Sequence, residues 1–308
     1  MKSVDRALDF LECQTDWRYS ARTTPAAEPT AWAALALAAY GRHEAAARAR
    51  VWLLDLQNTN GSVGIRKDEP APCWPTGLAV LAWKLTGAVS ATNIKSIGTA
   101  PSNAPSWAEQ EGSRRAVEWL LTIAGETSAN AQYTGHDTSI AGWPWVVGTH
   151  SWVEPSALAL LALRAAGLAE HPRARDAARL LYDRLLSTGG CNYGNTIVLG
   201  QALLPHVEPT GLTLLALAGR PDAQGRIAAS IAYLQGTLGP ETTPASLAYG
   251  LLGLAAQRTT LAQSDEWLSA CVEGSYRRGA SLELALLALA AMGSDCPLVA
   301  FSTNHQAA

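Results

Sequence analysis

One segment of this chain comes back six times. Val153–Gly167 reads V-E-P-S-A-L-A-L-L-A-L-R-A-A-G, and Val207–Gly219 reads V-E-P-T-G-L-T-L-L-A-L-A-G. Ala27–Gly41 (A-E-P-T-A-W-A-A-L-A-L-A-A-Y-G) and Cys73–Gly87 (C-W-P-T-G-L-A-V-L-A-W-K-L-T-G) follow the same plan, and Thr243–Ala256 and Gly279–Gly293 are looser copies. A chain that repeats one unit must stack those units on one another, because no single copy can bury its own apolar surface.

Each copy predicts a helix. Proline sits in the first turn, where a missing N–H costs nothing. Ser or Thr follows it, and glycine often closes the segment. Between these ends the run is apolar on every side, so the helix is either buried or in a membrane. Runs of about ten to fourteen residues are well short of the roughly 20 needed to cross a bilayer, so six buried helices are expected.

An amphipathic stretch precedes every copy. Val4–Thr15, Glu44–Leu56, Ser113–Ala124, Pro172–Leu186, Pro221–Leu234 and Ser264–Val272 place apolar residues at helical spacing, with charges opposite. Six helical hairpins could form an open solenoid or a ring. A solenoid shows a polar groove and needs polar caps. Helices apolar all round favour the ring, an all-α (α/α)6 toroid with apolar inner and amphipathic outer helices. The expected organisation is one toroid domain over 1–294, with insertions at 88–112 and 126–152 and a loosely ordered tail, 295–308. The second insertion leads straight into the third inner helix and is expected to lie over one mouth of the ring.

Composition narrows the function. Apolar residues make up 48% of the chain and charged ones 16%, which suits buried helices or an apolar cavity. A net charge of −3 gives no nucleic-acid footprint. With Lys2, Asp5, Arg6 and Asp9 and no apolar core, the first ten residues are not expected to be a signal peptide. Five cysteines at scattered spacing read as reduced thiols, so the expected location is cytoplasmic.

The hairpin array resembles the toroid of squalene–hopene cyclases, related terpene cyclases and the β subunits of protein prenyltransferases. The likeness runs over roughly residues 3–293. It rests on the ends of outer helices, where squalene cyclases carry Q-x-x-x-G-x-W. Here Gln57-Asn58-Thr59-Asn60-Gly61-Ser62-Val63 has Val63 in the aromatic place, Gly142-Trp143 follows Gln132 after a longer gap, and Gly189-Gly190-Cys191 has Cys191 there. The resemblance implies a ring whose central cavity suits isoprenoid chains. It carries over no catalytic residue: D-x-D-D, D-D-x-x-D and the zinc-binding D-x-C are all absent.

Glu28, Glu154 and Glu208 precede proline at one position of three inner helices. In a closed ring they share one rim, at positive helix ends. One account makes Glu-Pro-Ser/Thr a helix-start device, favourable by a few tenths to about 1 kcal/mol each. The other makes the three a carboxylate cluster, in which like charges raise at least one pKa and create a proton donor. These three are the catalytic candidates. Trp74, Trp143, Trp145, His150, Trp152, Tyr193 and His206 are the ligand-binding candidates. Aromatic faces stabilise cations, and tryptophan also simply fills gaps between alanine-rich helices. His150, His206, Cys73 and Cys191 could supply zinc ligands, but at no recognisable spacing; no metal and no cofactor is expected. The expected partner is an apolar small molecule, an isoprenoid or lipid, with a peripheral membrane or protein partner possible in principle and no nucleic acid. The leading expectation is a terpene cyclase- or prenyltransferase-like enzyme. The alternatives are a non-catalytic lipid- or partner-binding toroid, and a carbohydrate-active toroid using paired carboxylates.

Overall fold

The computed structural model describes residues 2–88, 106–129 and 134–304. Six inner helices form the ring: α2 (Ala27–Ala39), α4 (Thr76–Ala88), α6 (Val153–Ala165), α8 (Val207–Ala216), α10 (Pro244–Ala256) and α12 (Ser281–Ala291). Each packs on the next, and α12 returns to pack on α2, so the array closes. The outer helices are α1 (Lys2–Cys13), α3 (His43–Asp55), α5 (Trp107–Thr122), α7 (Pro172–Arg184), α9 (Arg226–Thr237) and α11 (Ser264–Arg278). At the seam Arg6 of α1 pairs with Glu273 of α11 at 2.5 Å. The protein is an α/α toroid, and the open solenoid is excluded by the contact between its first and last inner helices.

Small residues set the ring's dimensions. Between α8 and α10 the backbones nearly touch: a Cβ on Gly211 would stand 2.2 Å from the Tyr249 carbonyl oxygen, and one on Gly253 would stand 2.4 Å from the Gly211 carbonyl oxygen. Alanine does the same work elsewhere: Ala31, Ala33, Ala34 and Ala36 of α2 are all fully buried.

Three boundaries differ from the periodicity. Helix α5 starts at Trp107, not Ser113, because Ser106 and Glu109 form a reciprocal capping box. The insertion expected over 88–112 therefore ends earlier, and its residues 89–105 lie outside the described residues. Helix α9 starts at Arg226, not Pro221, because Gly225 takes a left-handed conformation (φ 69°) just before it. Helix α11 runs on to Arg278, where Gly279 (φ 62°) ends it.

The tail is not loose. A 3-10 turn, Gly293–Asp295, leads into α13 (Pro297–Asn304), and Cys296, Leu298 and Val299 are buried. Helix α13 packs on α8 and α10, at the end of the ring away from the glutamates. Arg164, at the last turn of α6, ties it down by donating to the carbonyls of Ala216 (2.9 Å) and Ser302 (2.6 Å). Residues 305–308 lie outside the described residues.

Candidate functional site

The repeat's own chemistry builds the mouth. The Thr or Ser after each proline faces back to the preceding turn. Thr76 Oγ1 accepts from Val63 N–H at 2.9 Å, Ser156 Oγ from Trp143 N–H at 2.9 Å, and Thr210 Oγ1 from Cys191 N–H at 2.9 Å. Thr30 and Thr210 also donate to the carbonyls of Ala26 and His206, at 2.7 and 2.6 Å. Val63, Trp143 and Cys191 are the residues in the aromatic place of the Q-x-x-x-G-x-W pattern, and each is locked to the following inner helix in the same way. Gln57 completes the turn by donating to the carbonyls of Gly61 (2.9 Å) and Gly112 (2.8 Å). Gln132 lies outside the described residues. These bonds hold the start of each inner helix, and hence the residue before its proline, at one level of the ring.

Around that level the chain places Glu28 (α2), Trp74 (beside α4), Glu154 (α6), Glu208 (α8) and Thr243 (beside α10). The three glutamates share this rim and influence one another's charge. Helix α2 lies across the ring from α8, yet Glu28 feels the charge of Glu208, and Glu154 feels both. Burial pushes the Glu28 carboxyl up to about 7; the Tyr19 hydroxyl, donating to Oε2 at 2.6 Å, opposes that shift and the charge of Glu208 adds to it. Glu154 is raised well above the usual carboxylate range, by burial first and then by Glu28 and Glu208. Glu208 is raised by burial. No cation contributes at any of the three. Glu28 is densely surrounded by protein yet only half-buried by accessible surface. It therefore faces a cup and not packed side chains.

The floor of that cup is aromatic. Trp32 from α2 meets Tyr249 from α10 edge to face, with ring centroids 5.7 Å apart. Since α12 separates their helices, the two rings meet inside the ring. Both are buried, and among the described residues Trp32 Nε1 and the Tyr249 hydroxyl have no hydrogen-bond partner beyond each other. Burial first, and then the fields of all three glutamates, hold the Tyr249 hydroxyl protonated. Two large rings therefore lie across the interior of the toroid, on the side of the glutamates.

Aromatic pairs frame the rim: Trp74 with Trp145 at 4.7 Å, His150 with Trp152 at 4.5 Å, and Tyr193 with His206 at 5.1 Å between centroids. Trp152 and His206 are the residues just before α6 and α8, beside Glu154 and Glu208. Tyr193 accepts from Val153 N–H through its carbonyl at 2.8 Å, and its hydroxyl feels Glu208 and Glu154. Trp143 departs from the expectation. It is 2% exposed, its Nε1 donates to the Leu120 carbonyl, and Arg173 lies 4.0 Å over its ring. It is a wedge behind the turn, and with Trp74 and Trp145 it lines a small apolar pocket beside the mouth. Cys191 is fully buried with its thiol pushed up to about 11, and Cys73 donates to the Pro70 carbonyl. Among the described residues no three His, Cys, Asp or Glu side chains come close enough to hold a metal ion. None of the described helices is long and apolar enough to cross a membrane.

Sequence reasoning missed three residues. Trp17 is the counterpart of Trp143: it is buried, and its Nε1 donates to Leu11 as that of Trp143 donates to Leu120. Gln14 three residues before it was the available signal. Tyr249 is a large ring in a copy otherwise built from Ala, Leu and Gly. Tyr19 lies in a connection with no pattern to mark it.

No family model matches the chain, and no curated protein matches it. Solved structures do. The type II terpene cyclase MstE from Scytonema, in complex with geranylgeranyl dihydroxybenzoate, superposes with a TM-score of 0.55 at 15% identity, over 97% of each chain. A GH8 xylanase from Teredinibacter turnerae superposes at 0.58 and 11% identity, over 97% of this chain and 93% of its own. A protein from Actinoplanes does so at 0.53 and 19% identity, over 90% and 80%. At such identities the likeness is one of fold: the α/α toroid.

Proposed function

We propose that the chain is a terpene cyclase-like acid catalyst that takes the end of an isoprenoid chain into the cup between Glu28, Glu154 and Glu208. The observation that carries this reading is the convergence of three carboxyls, without a cation, above an aromatic floor. Such a cluster cannot ionise fully, so a carboxyl stays protonated at neutral pH. Glu154, the most buried of the three and without a hydrogen-bond donor, is the proton donor. Glu28, whose charged form Tyr19 stabilises, is the acceptor.

In this mechanism the Glu154 proton adds to one carbon of a terminal double bond. The π electrons form the new C–H bond and leave a tertiary cation. Trp32, Trp74 and Tyr249 offer it ring faces. A second double bond closes on the cation, and loss of a proton to Glu28 ends the reaction. The product is an isomer of the substrate, and no further reactant is needed. The floor limits entry to a chain end, with the remainder lying along Trp145 and Trp152. That MstE is seen with geranylgeranyl dihydroxybenzoate, on the same fold, makes substituted geranylgeranyl arenes the first substrates to test.

Incubation with geranylgeranyl arenes, farnesol and squalene, followed by mass spectrometry for isomeric cyclised products, tests the reading. Cyclisation is expected, and Glu154→Gln should lower it by about 10²–10⁴-fold. No product from any isoprenoid, or full activity in Glu154→Gln, overturns it.

A further inference from the structure

A second cavity, of about 210 Å³, lies beside the mouth and outside it. Its walls come from the connection between α5 and α6, the last turn of α7 and the loop after it. The residues that give it chemistry are Glu126, His136, His150, Ser151, Arg184 and Asn195. Trp152 divides it from Glu154: the indole lies against Gly194, where a Cβ would stand 2.8 Å from the ring, and Asn195 is the next residue.

The hydrogen bonding fixes what the cavity presents. Thr196 Oγ1 gives its one proton to the Thr134 carbonyl at 2.9 Å, so at its 3.3 Å contact with His136 Nδ1 it must accept. His136 therefore carries its proton on Nδ1, and Nε2 is left with a lone pair. Burial and the nearby Arg184 charge keep the ring neutral. Arg184 is 4% exposed and donates to the Asp183 carboxylate and the Asp137 carbonyl, while its Nε has no partner. Its charge is thus balanced from behind. Ser151 Oγ accepts from Gly142 N–H at 2.8 Å and keeps its own proton to give. Glu126 brings a negative charge to the entrance. Donors and acceptors are mixed, and among the described lining residues the excess charge is an acid, Glu126. An anion is repelled there, and a metal has too few ligands among the described residues. What remains is a neutral molecule rich in hydroxyls, each able both to give and to accept. The volume equals about seven water molecules, the size class of one sugar ring.

We propose that this cavity is a binding site for a small neutral polyhydroxylated ligand, a single sugar ring or polyol, distinct from the glutamate mouth. Its hydroxyls donate to His136 Nε2 and the Glu126 carboxylate, and accept from Ser151 and the Asn195 amide.

The full chain, labelled with ¹⁵N-histidine, tests this in an NMR titration with glucose, xylose and myo-inositol, with inorganic phosphate and acetate run in parallel. Saturable shifts of the His136 ring nitrogens with at least one neutral compound are expected. Asn195→Ala, which removes no internal hydrogen bond shown by the described residues, should weaken that binding about tenfold, as should His136→Gln. Glu154→Gln should leave it unchanged, so loss of cyclisation and loss of polyol binding are read apart. The proposal fails if no neutral compound saturates below about 100 mM, a Kd that would amount to less than 2 kcal/mol. It fails equally if phosphate or acetate binds in place of the polyols, or if binding survives in both Asn195→Ala and His136→Gln.

Discussion

Three glutamates gathered at one end of a ring are a conflict at the level of single residues. Each carboxylate gains a little from the helix start it occupies and loses more through burial, to which the charge of Glu208 adds at Glu28 and the charges of both neighbours add at Glu154. The sign of the consequence follows from linkage. A carboxyl whose folded-state pKa is raised, as that of Glu28 is from 4.5 to about 7, contributes stability that is fully present below the unfolded value. That contribution is lost as pH rises through about 7. The protein should therefore melt lower at pH 8 than at pH 5.5. Glu28→Gln and Glu154→Gln should each recover about 1–3 kcal/mol at pH 8, and clearly less at pH 5.5, where only the first part of the loss has accrued. Thermal melts of the three proteins at both pH values check this. Parallel pH dependence in all three would show that the cluster carries no strain. The position of the glutamates was legible from E-P-S/T recurring at one place in a repeat. Tyr19, which makes Glu28 unlike Glu154, was not, because a hydrogen bond across an irregular connection leaves no periodic trace.

At the level of elements, the inner helices hold together through close approach and not through large side chains. Gly211 and Gly253 let α8 and α10 run nearly backbone to backbone, and Tyr249 is aimed from that contact. Gly211→Ala would drive a methyl into the Tyr249 carbonyl, 2.2 Å from where its Cβ would stand. It should cost about 3 kcal/mol or more, at or above the usual range for overpacking, and should also displace the cup's floor. Urea denaturation reads the first effect; a cost below about 1 kcal/mol would mean that the two helices separate freely. The helices were legible because apolar and amphipathic segments alternate without a break. The ends set by local devices were less so: Ser106 with Glu109 lay within reach of the capping pattern, while the left-handed turn at Gly225 overrode a proline that looks like a helix start. The tail was misjudged for a physical reason. Pro297–Asn304 is too short to declare itself by periodicity, and what orders it is Arg164 and the ends of α8 and α10, far away in the chain.

At the level of the whole molecule, closing the ring does two things. It removes the ends that a solenoid would have to cap, and it brings α2 across from α6 and α8, so residues more than a hundred positions apart in sequence share one mouth. One end of the ring carries α13, packed on α8 and α10; the other carries the acids and their aromatic frame. The repeat made the ring legible in the sequence. It did not reveal that Trp32 and Tyr249 meet inside the ring, because side chains that meet across a ring have no fixed spacing along the chain. The account stands on a proton held at this mouth at neutral pH. Infrared difference spectroscopy between the native protein and Glu154→Gln, at pH 7 in water and in heavy water, tests it most directly. The predicted result is a protonated-carboxyl C=O band in the native protein that shifts on deuteration and is absent from the variant. A native spectrum at pH 7 with only ionised carboxylate bands would contradict it.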